Sequence, residues 1–596
     1  MQIIQKSGLV VFLAGFGIFL ASFFMESYVL TEEILVKHLG DKEDSEQLAI
    51  TLGPNLGKTY TTSFELVYIL GQAFDDINKS QIARYAISEG KVDHVVSSLT
   101  KAGNTFQMEV ATKAFNLDNE AEDFQANALK SYGSWLEGRE FSTEEELKGW
   151  ISGVVDNIVK YGIINEKGFD QYKIKNLKYE LVRSASQGPI SSSPGLFIFL
   201  TYVLCIIGAT MYLLPKVKLE GQPGIKNDGI FHSAMKNKGW LGILTGTFLI
   251  VFYVFLYFYP EYMTAWIITV DPVSAMLSGN EAGRFFLYGF MYTLTILVMG
   301  GRMMIKYRHS KYQLVRTASV MFFQTAFAFL IPEFLIRLNQ PYFDFKNIWP
   351  LDYDFFFDNE LSTLINNGGL GIFMLVWGIA LVIIAVPVFV YFFGKRWYCS
   401  WVCGCGGLAE TLGDPYRQLS DKSLKAWKIE RYSIHGVLAF AIIMTIGVLY
   451  TFWTGQGSLL GISTYDIRSV YGAWIGAGFA GVVGTGFYPI MGNRVWCRFG
   501  CPLAAYLGLI QRFKSRFRIT TNGGQCISCG NCSTHCEMGI DVRWYAQRGQ
   551  NIVRSSCVGC GVCSAVCPRG VLNLENRDEE GRLGDAVLIG NDGVVQ

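Results

Sequence analysis

Long apolar runs separated by short charged connections make up most of this 596-residue chain. Eight of them, near 7–25, 196–215, 240–259, 284–301, 317–337, 370–393, 433–453 and 470–491, approach the roughly 20 helical residues needed to cross a hydrocarbon core. Between the first two runs the pattern changes. Residues 26–195 show amphipathic helical periods, with Phe64–Ile69 leading into Phe74–Ile87, and Glu144–Val159 beyond. Asn116 to Asn127 and Ser142-Thr143-Glu144 supply turn and cap signals. The pattern predicts a mainly α membrane protein with eight transmembrane helices and a mostly helical segment outside the bilayer.

Composition agrees: half the residues are hydrophobic, 17% are charged, 14% are aromatic and mean hydropathy is +0.26. The net charge of +1 hides a strong asymmetry between the connections. Loops 216–239, 302–316 and 394–432, with the flank 492–520, carry 5, 5, 7 and 6 Lys or Arg. The loops expected on the opposite side, 260–283, 338–369 and 454–469, carry 0, 1 and 1. The positive-inside rule then puts the first set, and both termini, in the cytoplasm. The apolar core Gly8–Phe24 exceeds a signal-peptide core of 7–15 residues and no A-x-A-like site follows, so residues 1–25 read as an uncleaved anchor.

Cysteine placement adds chemistry. All fourteen cysteines lie at or beyond position 205, and 26–195 has none. That suits thiols kept reduced on the cytosolic side. Cys526, Cys529, Cys532 and Cys536 are spaced C-x2-C-x2-C-x3-C, and Cys557, Cys560, Cys563 and Cys567 repeat the spacing, with Pro568 following. This is the ligand pattern of bacterial ferredoxins with two [4Fe–4S] clusters, in which the fourth cysteine of each run ligates the other cluster. Cluster one is therefore assigned to Cys526, Cys529, Cys532 and Cys567, and cluster two to Cys557, Cys560, Cys563 and Cys536. Structural zinc sites pair C-x2-C knuckles and do not string three cysteines at this interval. The resulting divisions are the anchor 1–25, an extracytoplasmic helical domain 26–195, transmembrane helices two to five in 196–337, helices six to eight in 338–520, a ferredoxin domain 521–575 and a tail 576–596.

A second constellation follows the sixth and eighth apolar runs. Arg396-Trp397-Tyr398-Cys399-Ser400-Trp401-Val402-Cys403-Gly404-Cys405 aligns with Arg494-Val495-Trp496-Cys497-Arg498-Phe499-Gly500-Cys501-Pro502. On a helix, positions i and i+4 share a face, so each pair would present two thiols to one centre. Cys399, Cys403, Cys497 and Cys501, with Cys405 as alternate, are candidates for a third cluster or another metal site. Inert packing cysteines and a redox-active thiol pair are the alternatives. Cys205 reads as packing.

The remaining candidates are weaker. His38 and His94 are the only imidazoles in 26–195 and read as solvated residues. The same segment has no haem-attachment motif, and its Gly57-Lys58-Thr59 lacks the spacing of a phosphate loop. Glu333 and Arg337, one turn apart near the outer end of the fifth run, read as a mutually paired couple. His309 and His435 have no evident second axial ligand, so haem is unsupported, as is quinone, and His535 reads as a loop residue beside a cluster. No catalytic residue, substrate site or nucleic-acid partner is implied.

Two C-x3-C motifs after paired membrane helices, followed by a tandem ferredoxin run, resemble the membrane-bound polyferredoxins, relatives of the respiratory proteins NapH and NosR and the oxidase-assembly protein CcoG. The resemblance covers about 280–575. It implies a membrane electron-transfer protein that exchanges electrons with a cytosolic donor or acceptor and a membrane or extracytoplasmic partner in respiration. The alternative it implies is a CcoG-type factor for copper reduction or metal-centre assembly. There are departures: Cys403-Gly404-Cys405 replaces the C-x3-C-P ending in the first copy, Glu537 stands where a proline is expected after Cys536, and 26–195 lacks an S-G-A-T-type flavin attachment sequence.

Overall fold

The computed structural model describes residues 2–219, 239–455, 457–459, 462–577, 588–590 and 593–595. Among these, six helices are long and apolar enough to cross a membrane: Gln2–Ser22, Pro194–Pro215, Arg284–Lys306, Lys311–Arg337, Gly368–Phe393 and Leu424–Thr454. The other two expected spans are also helical but do not count among the six. Trp240–Phe258 is one α-helix, and the eighth runs from Thr464 to Gly486 with π-type turns over Tyr471–Val483. Its glycines allow close approach: a Cβ at Gly481 would lie 2.5 Å from the Tyr257 ring. Most of the lysine-bearing loop 216–239, including Lys226, Lys236 and Lys238, lies outside the described residues, as does most of the tail 576–596.

Ala21–Ser193 with Pro260–Ile268 forms one compact unit, and the rest of the chain forms another. In the first, helix Ser63–Tyr85 buries Leu66, Leu70, Phe74 and Ile77 along one face, the helical period evident in the sequence. Thr143 caps Glu144–Asn157 by accepting from the Glu146 amide, while the Glu146 carboxylate accepts from the Ser142 amide. This side-chain pair satisfies amides left free at the helix start.

In the second unit, strand Phe517–Thr521 pairs antiparallel with Leu572–Asn576, from Phe517 opposite Asn576 to Thr521 opposite Leu572. Both cysteine runs lie between these strands, so the pairing folds one run back onto the other. Their backbones repeat. Ser528 and Gly559 have φ of 57° and 61°, and Gly530 and Gly561 have 80° and 72°. Each run then enters a one-turn helix, Asn531–Thr534 or Val562–Ala565.

The connection 338–367, read from sequence as an outer loop, folds back into the core. Ile348 packs in the same buried cluster as Cys399, Cys403, Cys497 and Cys501. The Trp349 indole donates to Thr445 Oγ1 at 3.0 Å, and the Trp377 indole to the Phe345 carbonyl at 2.9 Å. Irregular backbone among membrane helices is tolerated where protein surrounds it.

Candidate metal centres

Three cavities collect thirteen of the fourteen cysteines. Cys526, Cys529, Cys532 and Cys567 line one of about 360 Å³. Cys536, Cys557, Cys560 and Cys563 line a second of about 390 Å³. The fourth cysteine of each run thus sits with the first three of the other. Surroundings differ: Cys529 is exposed, whereas Cys557 and Cys563 are buried. Burial pushes the Cys557 thiol up to about 11 and Cys532 to about 12. Bare thiolates are disfavoured at such dry positions, and the cationic core of an iron–sulfur cluster held by these cysteines would compensate their charge.

The third cavity, of about 280 Å³, is lined by Cys399, Cys403, Cys405, Cys497 and Cys501, with Leu351 of the folded-back connection in its wall. The pairs meet as expected, but not by sharing a helix face. Cys399 closes the short helix Arg396–Cys399, while Cys403 is the N-cap of Gly404–Thr411. Cys497 lies in Val495–Phe499, and Cys501 caps Pro502–Phe513, its Sγ accepting from the Ala504 amide at 3.4 Å. Each pair straddles a break between two helices. Pro502 explains the second break, because proline starts a helix more readily than it continues one. The second cysteine of each pair thereby lies at a helix N-terminus, where amides and the helix dipole favour negative charge.

Buried cations surround this cavity. Arg494 donates to the Cys399 carbonyl at 3.3 Å and to Cys497 Sγ at 3.5 Å. Lys395, 1% exposed, donates to the carbonyls of Ala504 and Ser555 at 3.2 and 2.8 Å. Arg494 also pairs with Glu410 at 2.5 Å and with Glu537 at 3.0 Å. Glu537 takes Arg417 at 2.7 Å and Asn493 at 3.2 Å. Asp414 takes Lys306, Arg302 and Arg417 at 2.6, 2.8 and 3.3 Å, and Arg316 pairs with Glu410.

Burial alone would raise the Asp414 carboxyl, but Lys306, Arg302 and Arg417 together hold it far below the ordinary carboxylate range. Glu537 is likewise lowered, against burial, by Arg417, Arg494 and Arg316. Five cations therefore meet three carboxylates in this network. Burying surplus positive charge is costly unless an anionic neighbour balances it. Thiolate-ligated iron–sulfur centres on either side would do so, which is how the residues present fit the group. Glu537 in place of proline and Arg494 in the repeated motif are the sequence signs of this network; Glu410, Asp414 and Arg316 give none.

Other candidates separate from the cavities. Arg337 donates to the Met276 carbonyl and makes no ion pair with the buried Glu333 among the described contacts, so the expected couple is corrected: the arginine turns to a backbone acceptor. His38 bonds Ser184 Oγ at 2.7 Å and His94 is exposed. His309, His435 and His535 bond the carbonyls of Ala565, Arg431 and Asn531. Cys205 points its thiol at the Phe12 carbonyl, 3.8 Å away.

Comparison with known proteins agrees with this geometry. A family model described as a 4Fe-4S dicluster domain matches residues 518–568. A second, described as a 4Fe-4S binding domain, matches twice, over 374–424 and 472–520, once around each C-x3-C pair. The chain carries iron–sulfur clusters. Among curated proteins it is 27% identical over 157 residues to YccM of Escherichia coli (strain K12), whose name provisionally describes an electron transport protein. It is 23% identical over 161 residues to MauN of Methylobacillus flagellatus, a methylamine utilization ferredoxin-type protein. These alignments take in 25% and 26% of this chain, and 43% and 52% of the relatives, about half the length of each. No solved structure matches.

Proposed function

We propose that this chain is a membrane-bound electron-transfer protein of the NapH, NosR and CcoG type. In this reading it crosses the cytoplasmic membrane eight times with both termini inside, 26–195 lies outside the cytoplasm, and the ferredoxin module faces the cytosol. It serves respiration by linking a cytosolic donor or acceptor to a membrane or extracytoplasmic partner. The ligand sets are Cys526, Cys529, Cys532 and Cys567 for cluster one, and Cys557, Cys560, Cys563 and Cys536 for cluster two. A third centre takes four of Cys399, Cys403, Cys405, Cys497 and Cys501.

A bound [4Fe–4S] cluster supplies a one-electron couple. The protein's part is to hold the sites in order and in a fixed field. The observation that carries the reading is the bolt between the second and third cavities. Glu537, next to Cys536, pairs with Arg494, which touches Cys497 Sγ. A parallel link runs through Gln511, whose amide donates to the Cys557 carbonyl at 2.9 Å while its oxygen accepts from the Lys395 amide at 2.7 Å. Both links join two cysteine sites by few bonds through dry protein.

Iron and acid-labile sulfide analysis with electron paramagnetic resonance tests it. About twelve irons per chain are expected, and about eight would remove the third cluster, taking four per cubane. Clusters that neither quinol nor any membrane partner could reduce or oxidise would end the electron-transfer reading. A second reading, copper reduction or metal-centre assembly, rests on the fifth cysteine of the third cavity, Cys405. It requires that Cys399→Ser and Cys497→Ser abolish copper handling while both ferredoxin signals persist.

A further inference from the structure

The ferredoxin module has two faces related by its internal repeat, and among the described residues only one of them is covered. Around the second run, Gln313 Nε2 donates to the Cys560 carbonyl at 2.7 Å and the Tyr312 hydroxyl to the Gly559 carbonyl at 2.8 Å. A Cβ on Gly561 would strike the Tyr312 ring at 2.9 Å, and one on Gly559 would strike Arg396 at 2.7 Å. That face is packed against the start of helix Lys311–Phe322 and against Arg396–Cys399, which carries a cysteine of the third cavity. At the equivalent place in the first run, a Cβ on Gly530 would meet nothing within 4 Å. There Cys529 is exposed, with Ile527 54% exposed beside it.

The open face is also charged in one sense. Arg543 and Arg569 line its cavity, and among the described residues no acidic one does. Arg548, on the same short stretch, lies 3.9 Å over the ring of Trp544, which is itself 45% exposed. Residues 521–577 contain five arginines, no lysine and three acids. Of those acids Glu537 is buried in the ion network, Glu575 pairs with Arg577, and Asp541 accepts the Ser533 hydroxyl.

We infer that this face is the docking surface of a small acidic protein electron carrier, received by Arg543 and Arg569 around the exposed edge at Cys529 and Ile527. The inference rests on the reading that Cys526, Cys529, Cys532 and Cys567 hold a cluster, and adds to it the partner and the place. Opposite charge steers a carrier and orients it for brief contact, and the exposed Ile527 in the cavity wall lets the pair exclude water. The exchange is a single electron: the carrier is oxidised by one, the centre under Cys529 is reduced by one, and no bond or proton moves. The reverse transfer obeys the same balance.

The test uses the full chain, cluster-loaded in detergent, mixed by stopped flow with a reduced plant-type [2Fe–2S] ferredoxin as the acidic probe. The second-order rate is expected to fall at least about tenfold as salt rises from about 20 to about 300 mM. Arg543→Glu with Arg569→Glu should lower the low-salt rate by about tenfold or more. The same double variant should react faster with the basic probe cytochrome c. Its iron content should match the wild type. A wild-type rate indifferent to salt, or a double variant as fast as wild type with ferredoxin, overturns the docking surface while leaving the clusters in place. If Cys529→Ser leaves both ferredoxin signals intact, the reading of the cavity fails and the docking surface fails with it.

Discussion

The two C-x3-C copies share a sequence frame and a backbone, yet they obtain their buried charge differently. Both begin at a glycine that stops the preceding helix in a left-handed conformation, Gly394 at φ 69° and Gly492 at φ 93°. Both place an arginine three residues before the first cysteine and put the second cysteine at a helix N-cap. In the second copy that arginine, Arg494, is buried among Glu410, Glu537 and Cys497. In the first, Arg396 is half-buried and stacks 4.8 Å from the Phe517 ring, and the buried cation is its neighbour Lys395, aligned with Asn493. A repeat can conserve the geometry that delivers thiols while the surroundings choose which adjacent side chain carries the charge.

The comparison breaks most sharply at the arginines. Arg494→Ala would take one of two cations from Glu410 and from Glu537, leaving them Arg316 and Arg417, at a cost of about 1.5–3 kcal/mol. Thermal unfolding in detergent should fall accordingly, with loss of iron from the third site. Glu537→Ala should also destabilise, because it removes one of three carboxylates facing five buried cations and leaves Arg494 and Arg417 with Glu410 and Asp414 alone.

Lys395→Met should leave iron content unchanged and lower the midpoint potential of the third centre, since a nearby cation favours the reduced, more negative state. The expected shift is roughly 50–100 mV, from about 1–2 kcal/mol of screened Coulomb energy. A redox titration followed by electron paramagnetic resonance measures it, and an upward shift would contradict the charge role given to Lys395.

Acidification comes next. Asp414 and Glu537 have carboxyl pKa values depressed in the folded state. The folded protein then binds fewer protons than the unfolded chain below the ordinary carboxylate range. Their contribution is complete above that range and is lost only as pH falls towards the folded values. The link between ferredoxin module and helices should therefore hold from neutral pH to about pH 5, as amide hydrogen exchange at the 413–420 turn can show. The smallest effect is expected from Arg396→Ala, about 0.5–1 kcal/mol for a partly exposed cation–π contact. A cost equal to that of Arg494→Ala would erase the distinction between the copies.

Much of the architecture is legible along the chain because its signals are local. Apolar length marks Gly368–Phe393 and Leu424–Thr454 as membrane helices, and the Thr143 cap sits where Ser142-Thr143-Glu144 announces it. The crossed grouping of cysteines follows from spacing, since three closely spaced thiols fill one site and the fourth overshoots. The helix breaks within the C-x3-C pairs are harder to foresee, because i and i+4 spacing is equally consistent with one helix. The folding back of 338–367 is not visible at all. Its single lysine and lack of arginine read as an outer loop, while its many aromatic residues found buried partners such as Thr445, distant in sequence.

Sequence alone therefore marked the candidate ligands, the two ferredoxin runs and the paired C-x3-C motifs, together with the helices that carry them, all written in short-range spacing and composition. Tertiary structure decided how those sites are joined and which of them meets water. Arg417 reaches Glu537 across 120 positions and Arg302 reaches Asp414 across 112. No local pattern encodes such pairs, because a buried charge finds its partner only after packing has removed the water that would otherwise satisfy it.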